Sequence, residues 1–281
     1  MIWARLAACA ICAAMGLTLA SCGSAPSTSV ANPVDFTMTE RTGASGLRYR
    51  VAVPDTPPPP DGFDVIVHLH GATLSWNGLA GDVEALADMA SVAHAAGTLP
   101  ATVVIAPHDA AGWSMWTDSH DGSNDVASAI VEDVRGRLAS DLALTTEASG
   151  RHLSGFSMGG FGVASLVFVH DDVFSSAIVW DGAMHDWASL TSRRPHIARD
   201  QFGDDAAFFA AWSPYDVADA SADRRLLVVR GAMSAFFERY VAHLERVGVA
   251  VTPMETGCGH DVRCLVAEAG AAAAEFLGTA P

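Results

Sequence analysis

Lysine is absent from this chain: its 16 basic residues are all arginine, and they face 32 acids. The formal charge of −16 leaves no basic stripe for a phosphate backbone, which excludes nucleic acid as a partner. Together with abundant alanine, the missing lysine reads as coding bias rather than chemistry. Cysteine is sparse as well. Of the 5 present, Cys9, Cys12 and Cys22 lie at the N-terminal end, and only Cys258 and Cys264 follow. Two cysteines cannot build a disulfide scaffold, and Cys258, His260 and Cys264 offer three metal ligands with no obvious fourth, where a structural zinc takes about four. His68 and His70 share a face of an expected strand, but no further His or carboxylate pattern completes a metal signature. Neither a metal nor another cofactor is therefore expected. Beyond the N-terminal segment there is no apolar run of the roughly 20 residues that a membrane-spanning helix needs.

What the chain does have begins at that segment. MIWARLAACAICAAMGLTLASC carries one positive charge, Arg5, and then an apolar run ending in small residues, the pattern of an export signal. Polar and small residues break the run too early for a lone anchor. Its end, Leu19-Ala20-Ser21-Cys22, resembles a bacterial lipobox. That resemblance implies cleavage before Cys22, acylation of Cys22, and a protein held on the membrane outside the cytoplasm. The expected organisation is a signal peptide over 1–21, a flexible tether over 22–35 with little to bury, and one folded domain over 36–281. Outside the cytoplasm, Cys258 and Cys264 are expected to oxidise to a disulfide.

In the folded part, strand-like and helix-like stretches alternate. Alternation at 47–53 and short, mostly apolar stretches at 64–69, 101–106, 151–156, 175–180, 226–230 and 249–255 predict strands. Apolar positions at helical spacing predict helices over 79–96, 125–138, 159–169 and 236–247. This order predicts an α/β fold, a mostly parallel central sheet with helices on both faces.

The sharpest signal is Gly155-Phe156-Ser157-Met158-Gly159, a G-x-S-x-G between an expected strand and an expected helix. The glycines permit a tight turn that exposes the Ser157 hydroxyl at a helix N-terminus, where a nucleophile belongs. Downstream, in the order Ser, acid, His, the loop TGCGHDVRC places His260 between the two cysteines. Read locally, His260 serves equally as a metal ligand, a base or a solvated loop residue; beside the G-x-S-x-G it is read as the general base. His70-Gly71-Ala72 follows the strand at 64–69, where α/β-hydrolases place a loop whose N–H joins that of the residue after the nucleophile in an oxyanion hole. Ala72 and Met158 are the expected donors.

The segments HLHG, SGFSMGGFGV, FG…WSPYD and GCGHD together resemble the esterase D-like esterases of the α/β-hydrolase superfamily. That group includes S-formylglutathione hydrolase, feruloyl and acetylxylan esterases, and the mycolyltransferase antigens; in layout the chain also resembles polyhydroxybutyrate depolymerases. The resemblance implies an ester substrate and an acyl-serine intermediate. It also exposes a departure. Similar sequences carry the catalytic acid in a Gly-x-x-Asp after the strand at 226–230, and here Ser234 stands at that place. Glu238, in the following helix, is expected to face solvent, and Asp261 to point elsewhere. Asp181, the first residue after the strand at 175–180, is the expected substitute, with Glu238 or no acid at all left open. Transfer of the acyl group to an envelope acceptor, or a silent envelope-binding scaffold, are the alternatives to hydrolysis. Trp76, Trp113 and Trp116 fit either a substrate pocket or the core, and the oligomeric state is not legible.

Overall fold

In a computed structural model of the protein, residues 33–279 are described. The expected signal peptide, Cys22 and most of the expected tether lie outside them. The elements run β1 (Phe36–Thr42), β2 (Arg48–Pro54), β3 (Asp64–Leu69), α1 (Gly78–Ala95), β4 (Thr102–Pro107), α2 (Val126–Arg135), α3 (Arg137–Asp141), β5 (Arg151–Phe156) and α4 (Met158–Val169). They continue with β6 (Ser176–Trp180), α5 (Trp187–Arg193), α6 (Pro195–Asp200), α7 (Ala206–Ala210), β7 (Arg225–Arg230), α8 (Ser234–Val247), β8 (Ala250–Glu255) and α9 (Val262–Gly278).

The strands form one sheet in the order β1-β2-β4-β3-β5-β6-β7-β8. The β1–β2 and β2–β4 pairings are antiparallel, and every pairing from β4 through β8 is parallel. The chain winds one way from β3 to β4 and the other way from β5 onward. Ligands of open α/β sheets bind beyond the carboxyl ends of the strands at such a reversal, which here lies between β3 and β5.

Side-chain alternation decides which helix covers which face. Val65, Val67 and Leu69 of β3, Val103 and Ile105 of β4, and Leu226 and Val228 of β7 pack into one apolar layer under α2, α4 and α8. The residues between them, Ile66, Val104, Leu227 and Val229, pack into a second layer under α1 and α9. Each such side chain contributes roughly 1.5–3 kcal/mol when fully buried, and both faces are covered. That is why these strands read as continuous apolar runs.

The structure departs from the sequence expectation in several places, the short helices α5, α6 and α7 among them. The helix expected over 125–138 is broken: α2 stops at Arg135, Gly136 takes the non-helical φ −101°, ψ −132°, and α3 begins at Arg137. Glycine disfavours a helix interior, and the break lets Val134 and Leu138 both reach the core. The edge strand β1 and the long α9 have no counterpart in that expectation. Among the described residues, no helix is long and apolar enough to cross a membrane.

Candidate active site

Strand β5 ends at Phe156, helix α4 starts at Met158, and Ser157 between them adopts φ 55°, ψ −113°. This is a conformation that a non-glycine residue takes only when its surroundings enforce it. The flanking glycines enforce it by closeness. A Cβ on Gly155 would lie 2.1 Å from the Gly159 carbonyl oxygen, and one on Gly159 would lie 1.8 Å from the Leu69 carbonyl oxygen. The turn therefore packs backbone against backbone, and no larger residue fits at either position.

His260 stands on the loop between β8 and α9. Its Nε2 is 2.9 Å from Ser157 Oγ, and its Nδ1 is 2.6 Å from Asp181 Oδ2. Asp181 is 2% exposed and, like Ser157, has positive φ, 44°. Its N–H donates to the Val229 carbonyl at 2.8 Å. Its carboxylate accepts from the N–H groups of Gly231, Ala232 and Met233 at 2.9, 3.1 and 2.8 Å. Burial pushes this carboxyl upward, but the His260 hydrogen bond and the Met233 and Gly231 N–H groups outweigh burial and hold it below the usual carboxylate value. An ionised Asp181 only accepts, so Nδ1 carries the imidazole proton and Nε2 is left to accept from the Ser157 hydroxyl. Two further bonds tie the turns together: Ser157 N–H to the Trp180 carbonyl, 3.1 Å, and Ala183 N–H to the Ser157 carbonyl, 2.9 Å.

The histidine loop is fastened on both sides. Cys258 and Cys264 are joined in a disulfide across it. Asp261 turns away from the site to cap α9, accepting from the Arg263 and Cys264 N–H groups. Thr256 Oγ1 donates to the Arg230 carbonyl at 2.7 Å. With both imidazole nitrogens engaged and both sulfurs bonded to each other, the Cys-x-His-x3-Cys spacing does not present a set of metal ligands. Glu238 is exposed on α8 and does not line the cleft around His260, whereas Ser234 lines it at the start of that helix.

No family model matches the chain, and no curated protein does either. Solved structures do. The chain is similar to FphF of Staphylococcus aureus, a fluorophosphonate-binding serine hydrolase, at TM-score 0.69 and 17% identity over 88% of this chain and 100% of that one. It is equally similar to a ferulic acid esterase, at TM-score 0.69 and 14% identity over 88% and 98%. An S-formylglutathione hydrolase from Agrobacterium tumefaciens follows at TM-score 0.64 and 15% identity over 88% and 98%. The chain has the α/β-hydrolase fold.

In this fold, Gly71 packs against the Ser157 turn, where a Cβ on it would be 3.4 Å from Ser157 Cβ. Ala72 and Met158 line the same cleft, and Met158 opens α4, where N–H groups lack partners within the helix. Sequence reasoning missed what holds the Ala72 loop. His70 accepts from the Asp109 N–H at Nε2, 3.1 Å, which leaves its Nδ1 to donate to the Gly71 carbonyl at 2.7 Å. The His70 carbonyl in turn accepts from Trp116 Nε1 at 2.9 Å. Burial pushes the His70 imidazole down to about 4, so it stays neutral and keeps this tautomer. The sequence signal was present in His70, two residues after His68, but the pair separates in use. His68, in β3, is buried between the sheet and α1, with Nδ1 3.1 Å from Ser154 Oγ and Nε2 3.6 Å from Asp82.

The cleft encloses ≈ 870 Å³ around Ser157 and His260, with Trp113, Met115, Ile197, Met233 and Phe236 among its walls. Of the three tryptophans in question, only Trp113 faces it. Trp116 is a fully buried core residue, and Trp76 lies under the guanidinium groups of Arg48 and Arg50. Thr73, Met115 and Trp116 also have positive φ, so backbone strain gathers around the cleft as it does at functional sites.

Proposed function

We propose that the protein is a serine esterase that hydrolyses a carboxylic ester through an acyl-enzyme on Ser157. A serine hydroxyl is a weak nucleophile until a base takes its proton. His260 Nε2 removes that proton as Ser157 Oγ attacks the ester carbonyl. The Ala72 and Met158 N–H groups receive the oxyanion, an interaction worth about 10²–10³ in rate per donor. The imidazolium, paired with Asp181, returns the proton to the leaving alcohol. His260 then draws a proton from the water that attacks the acyl-serine and passes it to Ser157 Oγ as that bond breaks and the acid leaves.

The observation that carries this reading is the unbroken hydrogen-bonded series Asp181–His260–Ser157. It also favours an active enzyme over a silent scaffold, because the missing Gly-x-x-Asp acid was the ground for the latter and Asp181 stands in its place beside the histidine. Cleavage before Cys22, its acylation and anchoring outside the cytoplasm belong to the same proposal and rest on the N-terminal sequence. Intact mass of the membrane-bound form tests them, with an acylated Cys22 as the expected N-terminus.

Turnover is tested with 4-nitrophenyl esters from acetate to long acyl chains. Hydrolysis of at least one, lost in Ser157→Ala, is expected; undiminished hydrolysis by that variant would overturn the proposal. Adding an alcohol acceptor separates hydrolysis, which releases only free acid, from transfer, which forms a new ester.

A further inference from the structure

The cleft is a cationic place on an anionic molecule. The chain carries twice as many acids as bases, yet none of the residues lining the cleft around Ser157 is Asp or Glu. The charged residues in its wall are Arg193, which ends α5, and Arg194, which follows it. Seven of the thirteen other described arginines pair with a carboxylate. Arg239, for instance, holds Asp186 at 3.0 Å. Arg193 and Arg194 have no carboxylate partner among the described residues.

Both side chains are exposed at the wall of the cleft. The Arg194 guanidinium lies 5.9 Å from the centre of the Trp113 ring, and its Nη1 donates to the Arg193 carbonyl at 3.2 Å. Arg193 sits where the cleft meets a smaller recess of ≈ 260 Å³, lined by Ser189, Arg193, Ala235, Phe236 and Arg239. The neighbouring cleft residue His185 registers the field: burial first, then Arg194 and Arg193, push its imidazole down to about 4. His185 is therefore neutral at neutral pH, and the positive charge of this wall is that of the two arginines. An arginine without a partner presents a planar fork of donors that matches a carboxylate.

We propose that Arg193 and Arg194 form an anion subsite of the cleft, and that the ester taken by this protein carries a carboxylate or similar oxyanion on the portion seated against them. This rests on the esterase reading above and narrows its substrate class. The anion belongs either to the acyl part or to the alcohol part, and the two are separable by experiment.

For the acyl part, mono-(4-nitrophenyl) adipate is compared with its methyl ester; for the alcohol part, 4-acetoxybenzoate is compared with methyl 4-acetoxybenzoate. The expected result is a kcat/KM preference for the charged member of one pair of roughly threefold to thirtyfold, the range that two partly exposed ion pairs supply. The preference should shrink as salt rises and collapse in Arg193→Gln/Arg194→Gln, while Arg193→Lys/Arg194→Lys retains part of it. Calorimetric binding of the same four esters to Ser157→Ala protein reads the subsite without turnover. Charged and neutral members treated alike in both pairs, or a preference that survives removal of both arginines, would overturn the proposal. Hydrolysis of the neutral esters in that event would leave the esterase reading standing. Absence of all turnover, with the charged ester still bound more tightly through the arginines, would sink the esterase reading alone.

Discussion

Asp181 is the residue on which the site turns. It sits one strand earlier than the resemblance leads one to expect, and three successive N–H groups hold its carboxylate at the distance His260 needs. Asp181→Asn preserves size but presents an amide to Nδ1, which favours the wrong tautomer; in the worked serine-protease case such a change costs about 10⁴ in kcat. A loss on the order of 10²–10⁴-fold is expected here, with the fold verified by thermal melting, while Glu238→Gln, on an exposed position, retains near-normal kcat. A large loss only in Glu238→Gln would move the acid to α8. The sequence made Asp181 a candidate by its position after an apolar run. It could not show the positive φ or the Gly231–Met233 clamp, because these arise where β6 and β7 lie side by side. Gly231 was visible only as the glycine of the altered Gly-x-x-Asp, yet a Cβ there would come within 2.9 Å of the Asp181 carboxylate and 2.6 Å of the Gly259 carbonyl oxygen.

Among the elements, β3, β4, β6 and β7 were legible because burial on both faces leaves an apolar run that needs no partner to be recognised. Edge strand β1 was not. Its FTMTERT is largely exposed and held by pairing to β2 alone, so no apolar pattern marks it. The α9 face packed on α1 has Val262, Leu265, Val266 and Leu277 at its ends, but alanine and glycine fill its middle and dilute the helical pattern. Its start matters for function, since Asp261 caps it and the disulfide ties its first turn to the loop before His260. The cysteines are only 6 apart in sequence, so the ring adds roughly 2–3 kcal/mol at most by constraining the unfolded chain. Reduction is therefore expected to depress ester hydrolysis at temperatures where circular dichroism still reports a folded domain. Loss of activity only in step with unfolding would show that the loop holds His260 without the bridge.

For the whole molecule, acid is the expected weakness. Burial pushes His70, His152 and His185 from 6.5 down to about 4 in the folded chain. Between those values the unfolded chain binds protons that the folded chain refuses, so stability is full above about pH 6.5 and falls as pH drops toward about 4. Asp64 works in the opposite direction. Burial pushes it up to about 6, so the folded chain favours its protonated form in part of the same window. Three histidines against one carboxyl leave a net loss, and Tm is expected to fall steadily from pH 7 to pH 4; a flat or rising Tm would mean that these imidazoles are not buried neutral. The architecture behind them was largely readable from the alternation of runs and spacings. The winding reversal between β3 and β5, which brings the Ala72 loop against the Ser157 turn, was not, because strand order is a property of the assembled sheet.

The central claim, that Ser157 is a nucleophile activated by His260, is tested most directly by mass spectrometry after exposure to a fluorophosphonate. One adduct is expected, located to the peptide carrying Ser157, absent from Ser157→Ala and formed far more slowly in His260→Ala. Ester hydrolysis by a protein that takes no adduct at Ser157, or labelling at an undiminished rate without His260, would contradict it.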